Sequence, residues 1–258
     1  MMLWLLTSVA LGVDPVVEPV GSGRINWTTM ELEVTSRSDR TVGAWKEIRV
    51  VEQDALDRLK PLIDDAARRV RYDPSRSADD LMAADETGAP PDVARRLDDG
   101  LASWRVRETR YLSNGAVEMD GVLELQRWLR PMLLTDNISI KVNKNLDGPT
   151  GVVLDARQLS FNPCLAPEIR TASGEILAHP SMVHPDVLRV RSPVLYVADP
   201  ADALAVDRAG NHPMFLTADS SERDCKLTVS AADSNRLLNN VAFGNAVAAG
   251  RVVLVVNP

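Results

Sequence analysis

Three histidines and one strand-ending aspartate are the residues of this 258-residue chain best suited to do chemistry. His179, His184 and His212 each precede a proline, so each sits in extended or turn backbone. Joined by Asp155 or Asp186, such imidazoles would supply zinc ligands. Their spacing matches no established ligand pattern, and histidines on polar loops are ordinarily surface residues. Asp155 closes the apolar run Gly151-Val-Val-Leu-Asp155. Open sheets place ligands at such strand ends, but an aspartate there is also a common turn or cap residue. Gly21-Ser-Gly23 lacks the third glycine and the following helix of a dinucleotide fingerprint, and there is no P-loop, GxSxG elbow, HExxH or EF-hand pattern. No catalytic, cofactor-binding or metal-ligating residue is therefore assigned, and no cofactor is expected. The rival expectation is a periplasmic hydrolase built on Asp155 and the loop histidines.

Cys164 and Cys225 are too far apart for a CxxC motif. Two alternatives stay open, a disulfide closing a long loop or two small buried hydrophobes. The formal net charge is −7, which disfavours nucleic acid as a partner. Met1 to Gly12 carries no charged side chain and is too short for a bilayer span of about 20 residues. It reads as the apolar part of a signal peptide (1–12), with small residues at Ala10 and Gly12 for cleavage. Residues 13–23, with Pro15, Pro19 and Gly21-Ser-Gly23, read as a flexible linker. No later segment is long and apolar enough to span a membrane.

The elements that must hold these residues fall into two halves. In 24–134, alternation over Ile25–Thr35 predicts a strand with one phase slip near Thr28-Thr29. Apolar steps of three and four from Ile48 to Val70 predict a helix over 43–72, kinked at Pro61. A loop follows, then a short helix at 92–99. Asn114-Gly115 predicts a hairpin with a two-residue turn. In that register Leu112 faces Val117, Val106 faces Leu123 and Trp104 faces Leu125. One sheet face is then apolar and the other polar. The helix covers the apolar face. Residues 126–134 pack back on this half, and 135–149 read as a linker.

In 150–258, strands are predicted near 151–155, 194–197, 214–217, 226–229 and 251–256, with a hairpin about Ala172-Ser-Gly174. Ser230 and Asp233 open a long helix, which Gly250 ends. Strand, helix and strand then suggest a parallel crossover into a buried last strand. The expected fold class is α+β, with a long helix on a mostly antiparallel sheet followed by a smaller α/β unit ending strand-helix-strand.

The order of a Gly-Arg-x-x-Trp strand (Gly23, Arg24, Trp27), an Ala66-Ala-Arg-Arg69 helix and the hairpin Arg110-Tyr-Leu-Ser-Asn-Gly-Ala-Val-Glu118 resembles the LPP-type envelope lipoprotein family. That family is related to the N-terminal domain of the flagellar outer-ring T protein. The second half resembles an extension on some members, through Thr150-Gly-Val-Val-Leu-Asp-Ala-Arg157, Pro163-Cys-Leu-Ala-Pro167 and Gly250-Arg-Val-Val-Leu-Val-Val256. The resemblance implies an exported envelope protein with a structural, assembly or binding role, not an enzyme. Its partners would be envelope proteins or further copies of itself. The chain departs from the pattern in having no cysteine at the cleavage point and in carrying Pro61 in the central helix.

Overall fold

The computed structural model describes residues 14–41, 47–83, 91–135, 148–222, 225–238 and 240–257. The signal-peptide expectation and nearly all of the 135–149 linker lie outside them. The first half holds β1 (Val17–Val20), β2 (Gly23–Asn26), β3 (Glu31–Arg37), α1 (Ile48–Arg68), α2 (Ala78–Met82), α3 (Pro91–Leu101), β4 (Arg105–Tyr111), β5 (Val117–Glu124) and α4 (Leu125–Thr135). Its sheet runs β1-β2-β3-β5-β4, antiparallel throughout.

Three local expectations are corrected. Residues read as a flexible linker include β1, an edge strand paired to β2 across Gly21-Ser22, and Val16 is buried. The single strand over Ile25–Thr35 is two strands. The phase slip is their turn, where Met30 adopts φ +58. The hairpin after β4 is one residue off the expected register. Gly115 N donates to Leu112 O and Leu112 N to Ala116 O, leaving a three-residue loop. Gly115 has φ +81, whereas Asn114 does not enter the left-handed region that a type I′ turn demands. Tyr111 therefore pairs with Val117, and Trp104 lies before the strand, packed on the core without the expected pairing to Leu125.

Helix α1 lies on one face of this sheet, as the apolar periodicity requires. Val51, Ala55, Leu59, Ile63 and Ala66 are buried, and the helix runs through Pro61. Burial of Val51, Leu59 and Ile63 contributes about 1.5–3 kcal/mol each. Gly121 of β5 is the closest approach: a Cβ there would stand 2.6 Å from Ile63 Cδ1 and 3.0 Å from Leu59 Cδ2.

The second half holds β6 (Val152–Asp155), β7 (Glu168–Thr171), β8 (Ile176–Ala178), α5 (Pro185–Leu188), β9 (Val194–Val197), α6 (Ala203–Ala209), β10 (Met214–Glu222), β11 (Lys226–Val229), α7 (Ala231–Leu238), α8 (Val241–Ala248) and β12 (Val252–Val255). The sheet order is β8-β7-β11-β10-β6-β12-β9. Strands β10, β6, β12 and β9 are parallel. The uniformly apolar β12 is buried on both faces, as a parallel sheet covered by helices requires. Helix α6 covers one face through Ala205 and Ala209 on Val153, Val197, Val253 and Val255. The opposite face joins the main core. The single long helix after Ser230 is two helices, the second capped by Asn240, whose side chain accepts from Ala242 N and Phe243 N. The expected parallel crossover is also corrected, because β11 is antiparallel to β10 and so opposed in sense to β12.

One hydrophobic cluster runs through both halves. At their junction Trp27 meets Tyr196 edge-on, with ring centroids 5.9 Å apart. Arg71 ties β1 to the second half by pairing with Glu18 and donating from Nε to Pro163 O at 2.9 Å. Cys164 and Cys225 form a buried disulfide, Cα atoms 5.7 Å apart, which resolves the two alternatives above.

Candidate functional site

Packing α1 on one face of the first sheet leaves the other face open. Strand alternation puts Arg24 on β2, Glu31, Glu33, Thr35 and Arg37 on β3, and Glu118, Asp120, Val122 and Glu124 on β5 on that side. Edge strand β4 adds Arg105 and Arg110, and a bulge between Val106 and Glu108 adds two more. At the bulge two successive side chains, Arg107 and Glu108, serve one face. They line an open groove of about 530 Å³ with Ser22, Gly23, Arg24, Glu33, Thr35, Arg110 and Asp120, and Val122 lies on its floor.

The groove is held by an arginine–carboxylate lattice. Arg107 bridges β4 to β3, donating to Glu31 at 2.5 Å and to Glu33 at 2.7 Å. Arg24 donates to the same Glu33 at 2.8 Å. Arg110 pairs with Asp120 and, at 3.0 Å, with Glu108. Thr35 Oγ1 donates to Asp120 at 2.7 Å. The hydrogen bond from Arg110 holds the Asp120 carboxyl below the usual carboxylate range despite partial burial. The same bond raises the Arg110 guanidinium pKa, and the bonds that Arg107 donates to Glu31 and Glu33 raise its own. Asp120, Arg107 and Arg110 therefore stay charged at neutral pH. Such a surface offers paired donors and acceptors in a fixed array, suited to exchange ion pairs with a complementary surface.

Sequence reasoning anticipated a polar face here, but its register put Arg110 and Glu108 on the wrong side. The signal that could have corrected it is chemical. In the expected register those two charges would point into the core beneath α1, which a helix-covered face does not tolerate.

The residues singled out for catalysis are not brought together. Asp155 ends β6, at the C-terminal edge of the parallel strands, with both oxygens on Arg157. That hydrogen bond lowers its pKa, and its Oδ1 also accepts from Arg157 N at 3.0 Å, a turn-closing arrangement. The histidines lie at the opposite edge. His212 O accepts from Thr150 N, ahead of β6. His184 N donates to Ala248 O at the end of α8, ahead of β12, and its ring caps α5 by accepting from Asp186 N. His179 caps a 3-10 turn at Pro180–Met182 and lines a small apolar cleft with Val194 and Val252, the first residues of β9 and β12. Among the described residues no group of three or more His, Cys, Asp or Glu side chains is placed to hold a metal ion.

Sequence reasoning missed Arg208 altogether. It is buried in α6, donating from Nε to Gly250 O at 2.5 Å and from Nη2 to Ser192 O. Burial pushes its pKa down to about 10, so it remains charged at neutral pH. It satisfies two loop carbonyls at the N-terminal edge of the sheet.

Residues 151–258 match a family model described as the second domain of Treponema pallidum Tp0624. The match begins at the strand that opens the second half and covers the whole of its sheet. No curated protein matches the chain. Among the described residues no helix is long and apolar enough to cross a membrane.

Proposed function

We propose that this is an exported cell-envelope protein that acts by binding or assembly, and that the charged face of its first sheet is the surface it offers. The observation that carries the reading is the uncovered arginine–carboxylate groove. Its opposite face is packed by α1, whereas nothing in the described chain closes the groove side. Export is supported by the apolar stretch at 1–12 and by the buried disulfide, a bond that persists in oxidising compartments. The LPP-type resemblance of the first half, with its link to a flagellar ring component, favours an assembly role in or near the outer membrane. The Tp0624 second-domain match adds a bacterial relative for the other half. The hydrolase alternative draws less support, since Asp155 and the histidines stand at opposite edges of the sheet.

Fractionation of the native host with intact-mass measurement tests export. A mass lacking residues 1–12 in the envelope fraction is expected, and a full-length mass in the cytosol would overturn the reading. The role of the face is tested by Arg107→Ala with Arg110→Ala. The double variant should keep its circular dichroism spectrum yet lose the crosslinks that wild type forms in envelope preparations. Unchanged crosslinks would assign binding to another surface.

A further inference from the structure

The segment Pro163–Ala166 has no strand of its own, yet it is buried and holds both halves. Toward the first half, Leu165 N donates to Arg71 O at 3.2 Å and Ala166 N to Tyr72 O at 2.6 Å. Arg71 Nε returns a bond to Pro163 O, and the same guanidinium pairs with Glu18, which also accepts from Trp27 Nε1 at 3.0 Å. Toward the second half, Tyr196 OH donates to Cys164 O at 2.8 Å. Cys164 is bonded to Cys225, the residue that leads into β11 and whose carbonyl accepts from Glu168 N. Cys225 adopts φ +58, a conformation that a side chain with a Cβ enters only when its surroundings hold it there.

We propose that the Cys164–Cys225 bridge is a redox-sensitive latch on the joint between the two halves: oxidised, it fixes the Pro163–Ala166 strap against Arg71 and Tyr72, and reduced, it releases that strap. Both cysteines are fully buried, so a reductant reaches the bond only when the joint opens. Reduction by a dithiol breaks the Sγ–Sγ bond and gives two thiols. The dithiol supplies two electrons and two protons and closes to its own disulfide. Cys225 can then leave the left-handed region, and the strap loses its covalent anchor. Opening and reduction are thus coupled in both directions, as linkage requires. The latch does not depend on the charged groove.

The test is hydrogen exchange on the full chain. In the Cys164→Ser/Cys225→Ser variant, the amides of Leu165 and Ala166 should exchange about tenfold faster or more, while those of β6 and β12 keep their rates. Retained protection at Leu165 and Ala166 would overturn the proposal, as would a common acceleration of every amide, which marks a general staple. Should the variant fail to fold, wild type reduced with dithiothreitol after folding and kept reduced during exchange gives the same readout. The converse measurement uses the first half alone as the lever. Arg71→Ala should speed reduction of the wild-type bridge by dithiothreitol, whereas Val51→Ala, on α1 and chosen for an equal fall in Tm, should not. Equal rates in the two variants would refute the latch.

Discussion

At Asp120 the charged face of the first sheet is reduced to one carboxylate. Arg110 and Thr35 both donate to it, and its pKa is lowered chiefly by the Arg110 hydrogen bond. The fold therefore prefers the ionised form. Its contribution is fully present above the unfolded value of about 3.9 and is lost as the pH falls through the lower folded value. Asp120→Asn should destabilise the protein near neutral pH, and the gap to wild type should narrow as the pH falls below the unfolded value, read by urea unfolding across the acid range. A gap unchanged through that range would show that shape, not charge, sets the role of Asp120. The polarity of Glu31, Glu33 and Asp120 was legible in the sequence, because each alternates with buried residues along its strand. Arg208 was not legible: an arginine in a short amphipathic helix reads as solvated, and its carbonyl partners at Ser192 and Gly250 come from remote loops.

At the scale of elements, two glycines show where local and long-range requirements differ. Gly115 answers a local one. Its φ of +81 closes the three-residue loop, and Gly115→Val should cost about 2 kcal/mol by forcing a β-branched residue into the left-handed region. Chemical denaturation checks this, and an unchanged midpoint would reject the loop as described. Gly121 answers a tertiary one. It makes room for α1, and a methyl added there would meet Ile63 and Leu59. Gly121→Ala should cost about 1–3 kcal/mol through overpacking, and a compensating Ile63→Val should recover part of the loss. No rescue would mean that the helix does not bear on β5 at that point.

At the scale of the molecule, the two halves share a core, so they should unfold together. All five tryptophans belong to residues 1–134, whereas backbone circular dichroism reports both halves. With the disulfide intact, fluorescence and circular dichroism should trace one coincident urea transition. Trp27→Ala, which removes a fully buried ring from the junction, should lower that common midpoint by about 3–5 kcal/mol in stability. Separated midpoints in wild type would instead mark two independent domains on either side of residues 135–149.

What the sequence determined by itself is whatever depends on periodicity and local stereochemistry. The long helix over the first sheet, the strands at 194–197 and 226–229, the hairpin about Gly174 and the α+β class all follow from side-chain spacing and turn residues. They arise from forces acting within a few residues, which one chain segment carries whole. Only tertiary structure decided the rest. The hairpin register turned on whether Asn114 or Ser113 opens the loop, and keeping the charges of Arg110 and Glu108 out of the core beneath α1 settles it. The bulge at Arg107 lets the edge strand keep its charges on the open face. The Cys164–Cys225 pairing and the scattering of Asp155 from the histidines depend on strand order, which is fixed by contacts between residues far apart in the chain. A groove on a sheet face is a product of that order, and no single segment contains it.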